Sequence, residues 1–244
     1  MIKEKKKNIE GIIFDVDGVI AETEDYHRQA YNRIFREEGL DIQWSFEDYK
    51  RDMAMLGGTK LVLFGRKMGI ADPEGFSQRL VLKKRTALEN IIQEKLSKHE
   101  LSARPGVARL IREASDEGVK IGAASITNKS TVESIIKGAL GDDLFSRFEF
   151  IAGGDIVANK KPAPDIYILT VKALRITPER AVAIEDTSHG LKAAQGAGLK
   201  CVITRSEYTQ DDYFDGADLV VSDLGEPGNN HCVDLKILDK ICSG

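Results

Sequence analysis

Gly11-Ile12-Ile13-Phe14-Asp15-Val16-Asp17-Gly18-Val19-Ile20 is the stretch from which the rest of the chain can be read. Ile12, Ile13 and Phe14 form the short apolar run of a strand buried on both faces. Two carboxylates follow, two residues apart, and Gly18 then offers the backbone freedom of a sharp turn. Carboxylates at the end of a buried strand cost solvation free energy unless a cation or a reaction employs them. In isolation such a pair is more simply a helix cap and a turn residue. Its meaning depends on what the remaining strands bring beside it.

Downstream of Ile20, Thr23 is placed to cap a helix carrying Ala30, Tyr31, Ile34 and Phe35 at helical spacing. The segment 24–99 reads almost wholly helical, with Gly39, Gly57-Gly58, Gly69 and Pro73 as breaks. From Arg104-Pro105-Gly106 onward the pattern alternates. Strands are expected at Val119–Ala124, Phe148–Ile151, Ala181–Ile184, Lys200–Ile203 and Leu219–Val221. Helices are expected at Val107–Glu117, Ser130–Gly138, Pro164–Leu174 and Ser188–Ala197. Strands alternating with helices of about a dozen residues imply parallel crossovers and an open, doubly wound α/β sheet. The expected division is a core domain of residues 1–23 and 100–244 with a helical cap domain, 24–99, inserted after the first strand.

Composition is that of an ordinary globular chain: 244 residues, 42% hydrophobic, 30% charged. A net charge of −4 indicates no general attraction to nucleic acid or to an anionic membrane. The basic run Lys3-Glu4-Lys5-Lys6-Lys7 reads as a solvated tail, and no apolar segment follows it that would make a signal peptide or a membrane span. Cys201, Cys232 and Cys242 are odd in number and lack metal-ligand spacing. A monomer in a reducing cytoplasm is the expectation, with Cys201 a small core residue.

In a doubly wound sheet, ligands bind outside the carboxyl ends of the strands. Here those ends deliver Asp15 and Asp17, Ser125, Lys161, and the pair Glu185-Asp186. Four carboxylates, a hydroxyl and an amine on one rim have the chemical content of phosphoryl transfer: oxygen ligands for Mg²⁺ and donors for phosphate oxygens. An aspartate can also serve as the nucleophile.

Asp15-Val16-Asp17-Gly18-Val19, Ser125, Lys161-Pro162-Ala163-Pro164-Asp165 and Glu185-Asp186 together resemble, in order, the four motifs of the haloacid dehalogenase-like hydrolase superfamily. The chain is most similar to the CbbY-like branch, near the β-phosphoglucomutases. The resembling stretches are Glu22 to Tyr31, Leu56-Gly57-Gly58-Thr59-Lys60, Arg104-Pro105-Gly106-Val107, Ser125-Ile126-Thr127-Asn128 and Ala152-Gly153-Gly154-Asp155-Ile156-Val157. This resemblance implies a Rossmann-like core and a Mg²⁺-dependent sugar-phosphate phosphatase, with xylulose 1,5-bisphosphate as substrate. It further implies Asp15 as nucleophile and Asp17 as acid and base. Asp15, Asp17 (through its backbone carbonyl), Glu185 and Asp186 would hold the metal, and Ser125 and Lys161 the phosphate. Thr23, His27 and Lys60 would bind substrate from the cap, Lys60 taking the distal phosphate with Arg66 as its substitute.

Plainer roles compete with several of these. Ser125, Thr127 and Asn128 are all ordinary helix-capping types, and one of Lys160 and Lys161 is expected in solvent. His27 could pack, Lys60 could face water, Arg104 could only fix the hinge, and His189 could lie on the surface. Among functions, the resemblance leaves open a β-phosphoglucomutase-type mutase and a phosphatase of broader specificity. A receiver-type phospho-acceptor also places acids, a hydroxyl and a lysine at strand ends, but it lacks a helical insertion of this length. A dehalogenase is less consistent with a second carboxylate at this spacing.

Overall fold

The computed structural model describes residues 8–52, 55, 57–228 and 231–243. The basic run at 3–7 and Leu56 lie outside them. The chain forms two compact units, one of residues 1–22 with 101–244 and one of residues 23–100.

In chain order, β1 (Gly11–Phe14) is followed by four helices: α1 (Glu24–Glu37), α2 (Phe46–Arg51), α3 (Gly57–Lys67) and α4 (Pro73–Ser97). Then α5 (Val107–Asp116), β2 (Lys120–Ala124), α6 (Lys129–Phe145) and β3 (Phe148–Ala152) restore the alternation. It continues through α7 (Asp165–Leu174), β4 (Ala181–Glu185), α8 (Ser188–Gly196), β5 (Lys200–Thr204) and β6 (Leu219–Val221) to α9 (Leu235–Ile241).

Among the described residues, six strands form one sheet in the order β3-β2-β1-β4-β5-β6, and each of their pairings is parallel. All four residues of β1 are buried, as a central strand flanked on both sides requires. Successive crossovers run away from β1 in opposite directions, so right-handed connections put helices on both faces. On one face Ile166, Tyr167, Val171 and Leu174 of α7 and Leu191 and Ala194 of α8 pack with Ile13, Ala183 and Cys201. The reversal of strand order at β1 and β4 opens the crevice where such sheets bind ligands.

The helical unit has its own core. Tyr31, Phe35, Trp44, Tyr49 and Phe64 form a continuous aromatic cluster, with Phe35 and Trp44 centroids 4.8 Å apart. Asn32 fixes the connection after α1 by exchanging two hydrogen bonds with the Trp44 backbone, at 2.7 and 2.9 Å.

Three local expectations are corrected, and one helix lies where none was expected. Thr23 stands at the N-cap of α1 but makes no side-chain capping bond, because its backbone is already helical (φ −113°, ψ −4°). Gly57 and Gly58, expected as a break, open α3 instead. The helix expected to stop at Gly138 continues to Gly141, whose non-helical backbone (φ +78°, ψ 170°) interrupts α6, and a short second helical piece, with Leu144 buried, ends at Phe145. Finally, α9 was not anticipated: it is only seven residues long, is capped by Asp234, and buries Leu235 and Leu238.

Candidate active site

Strand register assembles the site. Phe14 lies opposite Ala123 of β2 and Ile184 of β4. One step further, Asp15 leaves the sheet beside Glu185, its N–H still donating to Ile184 O at 2.9 Å. Asp186 and Ser125 emerge at the same edge, and the Ser125 N–H donates to Ala152 O on β3. Lys161, from the loop between β3 and α7, reaches this edge from outside the sheet. It is buried while its neighbour Lys160 is exposed.

The Lys161 ammonium donates to Asp15 Oδ1 (2.8 Å), Glu185 Oε1 (2.6 Å) and Ala124 O (2.8 Å). Glu185, wholly buried, also accepts from the Tyr167 hydroxyl at 2.7 Å and from the Asp186 N–H at 3.2 Å. Asp17 Oδ2 accepts from two hydroxyls, Thr127 at 2.9 Å and Ser125 at 3.2 Å. The Ser125 oxygen in turn accepts from the Thr127 N–H at 3.1 Å, which fixes the direction of its own hydrogen. The site therefore falls into two groups, an ionic cluster around Lys161 and a hydroxyl cradle around Asp17.

Electrostatics separates the groups further. Burial pushes the Asp15 carboxyl above the usual carboxylate range, with Glu185 and Asp17 adding to the rise and Lys161 opposing it. Burial alone would lower Lys161, but the Asp15 and Glu185 charges outweigh it and hold the ammonium above its ordinary value. Four buried carboxylates thus meet at an edge with one buried ammonium among the described residues, and that ammonium pairs with two of them, Asp15 and Glu185. Oxygens of Asp15, Glu185 and Asp186 lie within 4.8 Å of one another. That excess of negative charge and that all-oxygen donor set fit a hard divalent cation.

The residues expected to contact substrate from the inserted segment belong to the helical unit. Thr23 is buried. His27 is half-buried, with Nδ1 at 2.8 Å from Lys84 Nζ. The Lys60 ammonium is buried over the rings of Tyr49 (4.2 Å to the centroid), Trp44 (5.6 Å) and Tyr31 (5.9 Å). Burial pulls its pKa down to about 8, against the attraction of Glu24 and Asp52. Arg66 is exposed and pairs with Glu74 at 2.7 Å. His189, in the first turn of α8, is half-buried.

Two members of the site were missed as such. Thr127 reads in the sequence as a capping type and as part of the resembling stretch Ser125 to Asn128, with no role of its own, although it shares the two-residue period of Ser125. Tyr167 carried a usable signal: an aromatic hydroxyl on the buried face of a helix needs a partner, and Glu185 is that partner.

A profile of the haloacid dehalogenase-like hydrolases matches residues 9–198. The CbbY protein of Cereibacter sphaeroides is 38% identical over 227 residues, 93% of this chain and 97% of that protein. A mutant form of CbbY from Rhodobacter sphaeroides, solved in complex with xylulose-(1,5)bisphosphate, is similar at a TM-score of 0.82 and 37% identity. That likeness covers 95% of this chain and 99% of the other. β-Phosphoglucomutase from Clostridium difficile, at 21% identity, shares the fold with a TM-score of 0.72 over 96% of this chain and 97% of its own. With a family match over most of its length and a relative of this identity over nearly all of it, the chain belongs to the haloacid dehalogenase-like hydrolases, on the branch of the CbbY proteins.

Proposed function

We propose that this hydrolase is a phosphatase of sugar phosphates, that xylulose 1,5-bisphosphate is its substrate, and that it works through an aspartyl-phosphate on Asp15 with Mg²⁺ as cofactor. The observation that carries the reading is the unequal treatment of two neighbouring aspartates. Asp15 is gripped by an ammonium, whereas Asp17 is held by two hydroxyls.

Each environment suits one role. An Asp15 oxygen attacks phosphorus while the bond to the sugar oxygen breaks, and Lys161 offsets the charge gathered on phosphate and carboxylate. Asp17 gives its proton to the departing sugar oxygen. It then takes a proton from the water that attacks the aspartyl-phosphate, releasing inorganic phosphate and restoring both carboxyl groups. Ser125 and Thr127 orient Asp17, and the Ser125 hydroxyl can transfer its hydrogen bond to a phosphoryl oxygen. Asp15, Glu185, Asp186 and the Asp17 carbonyl would hold Mg²⁺, which supplies positive charge to bind and polarise the phosphate. The helical insertion acts as the cap, excluding water and selecting the sugar through Thr23, His27 and Lys60.

A phosphate-release screen over sugar mono- and bisphosphates, with Mg²⁺ and with chelator, tests the assignment. Mg²⁺-dependent release should be fastest with xylulose 1,5-bisphosphate. Conversion of β-glucose 1-phosphate to glucose 6-phosphate without phosphate release would replace it with a mutase. A strong preference for a monophosphate would remove Lys60 as a distal clamp.

A further inference from the structure

Arg104 does more than mark the return of the chain from the helical unit. Its side chain is only 9% exposed, and its guanidinium is surrounded by oxygen. Nη1 donates to the Gly18 carbonyl and to Thr204 Oγ1 at 3.2 Å. Nη2 donates to Arg205 O at 2.5 Å and Ser222 O at 2.8 Å, and Nε pairs with Glu22 at 2.9 Å. Its backbone N–H donates to Ile20 O at 2.8 Å. One side chain thus ties the loop after β1 to the ends of β5 and β6. A guanidinium has five N–H groups in a rigid fork, and this one directs them to three separate stretches of chain.

The Gly18 contact gives this knot its meaning. Gly18 follows Asp17 and has φ +77°, and a Cβ there would lie 2.2 Å from Asp186 Oδ2. Its N–H donates to Ala21 O at 2.9 Å, and Val16 O accepts the N–H groups of Val19, Ile20 and Ala21. Gly18, the residue after Asp17, is therefore fixed at its N–H by the turn, walled on one side by Asp186, and held at its carbonyl, in the next peptide, by Arg104.

We propose that Arg104 is a positioning residue for Asp17: by anchoring the Gly18 carbonyl to the ends of β5 and β6, it fixes the direction in which the Asp17 carboxyl is presented. Glu22 locks the guanidinium plane in the orientation this requires. The inference rests on the acid–base role given to Asp17. Arg104 touches no reacting atom, so its loss acts on the chemical step rather than on substrate capture.

Arg104→Lys should lower kcat by about 10- to 100-fold, the scale of a small misplacement of a reacting group, with KM little changed. Methylguanidine added at non-denaturing concentration should restore part of the kcat of Arg104→Ala. Hydrogen exchange read by mass spectrometry should speed up over residues 16–21 in Arg104→Lys while the β4 and β5 amides keep their protection. An unchanged kcat, a change in KM alone, or exchange raised uniformly across the sheet would overturn the proposal. Should both Arg104 variants fail to fold, Glu22→Gln decides: reduced kcat with faster exchange at 16–21 supports it, and parental behaviour in both overturns it. The exchange measurement needs no substrate, so it judges the anchor even if the parent enzyme proves not to be a phosphatase.

Discussion

Lys161 and Lys60 are nearly equally hidden from solvent, at 5% and 4% exposure, one in each unit of the molecule. Their surroundings could hardly differ more. Burial weakens the proton's hold in both, but Lys161 donates to two carboxylates that more than reverse the effect. Lys60 lies over three ring faces, whose attraction is weaker than that of a touching carboxylate, and its pKa falls to about 8. Depth therefore says little about what a buried ammonium does; the first neighbours decide. Lys161 is a fixed charge. Lys60 is a titratable one, near neutral pH, inside the unit proposed to select the substrate.

Removing Lys161 is the most damaging way to break this contrast. Lys161→Met leaves Asp15 and Glu185 facing one another unpaired, which should cost about 3–5 kcal/mol of stability and abolish turnover. A variant that melts like the parent and keeps activity within tenfold in phosphate release would show that the ionic cluster is not what holds the site.

Tyr167→Phe makes a smaller cut in the same cluster. Glu185 loses one hydroxyl donor but keeps Lys161 and the Asp186 N–H. The expected loss is about 1.5–3 kcal/mol, the scale of a hydrogen bond to a charged group, read by denaturant titration. A loss as large as that of Lys161→Met would mean that the tyrosine, and not the ammonium, anchors Glu185.

Lys60→Met should alter stability least at neutral pH, since relief of the buried charge is offset by the lost cation–ring contacts. The difference appears in alkali. Between pH 8 and 10.5 the folded chain has released a proton that the unfolded chain still holds, so Lys60 contributes stability that rises with pH across this window. Lys161, held above the ordinary lysine value, contributes no such slope below pH 10.5. The gap in unfolding free energy between parent and Lys60→Met should therefore move in the parent's favour from pH 8 to 10.5. A constant gap would show that burial does not lower the lysine's affinity for its proton.

The sheet, its parallel order and the edge at which acids and lysine meet were legible because apolar runs of strand length ended in polar residues one after another. Lys160 and Lys161 could be ranked only by the adjacent proline and by resemblance, since their chemistry is the same. The cradle of Asp17 was not legible. It depends on how residues 126–129 settle against the Gly153-Gly154 backbone, where the Gly154 N–H donates to Thr127 O at 2.7 Å. A Cβ on Gly154 would lie 2.1 Å from Ile126 O, so the fit is made by two loops distant in sequence. The Lys60 cage was hidden for a similar reason, because its rings come from α1, the segment before α2, and α2 itself. Helical periodicity marks which residues are buried and not which of them share a pocket.

Glycine 190 extends that point to residues with no chemistry at all. A methyl group there would lie 1.9 Å from the Glu185 carboxyl, just as one on Gly18 would strike Asp186. The two acidic side chains are thus cast in a mould whose walls are bare backbone, one wall beside each. A catalogue of functional groups would leave both glycines out, yet either one, enlarged by a single carbon, would displace a carboxylate. The number of positions at which this enzyme can be disabled is accordingly larger than the number that carry its charges.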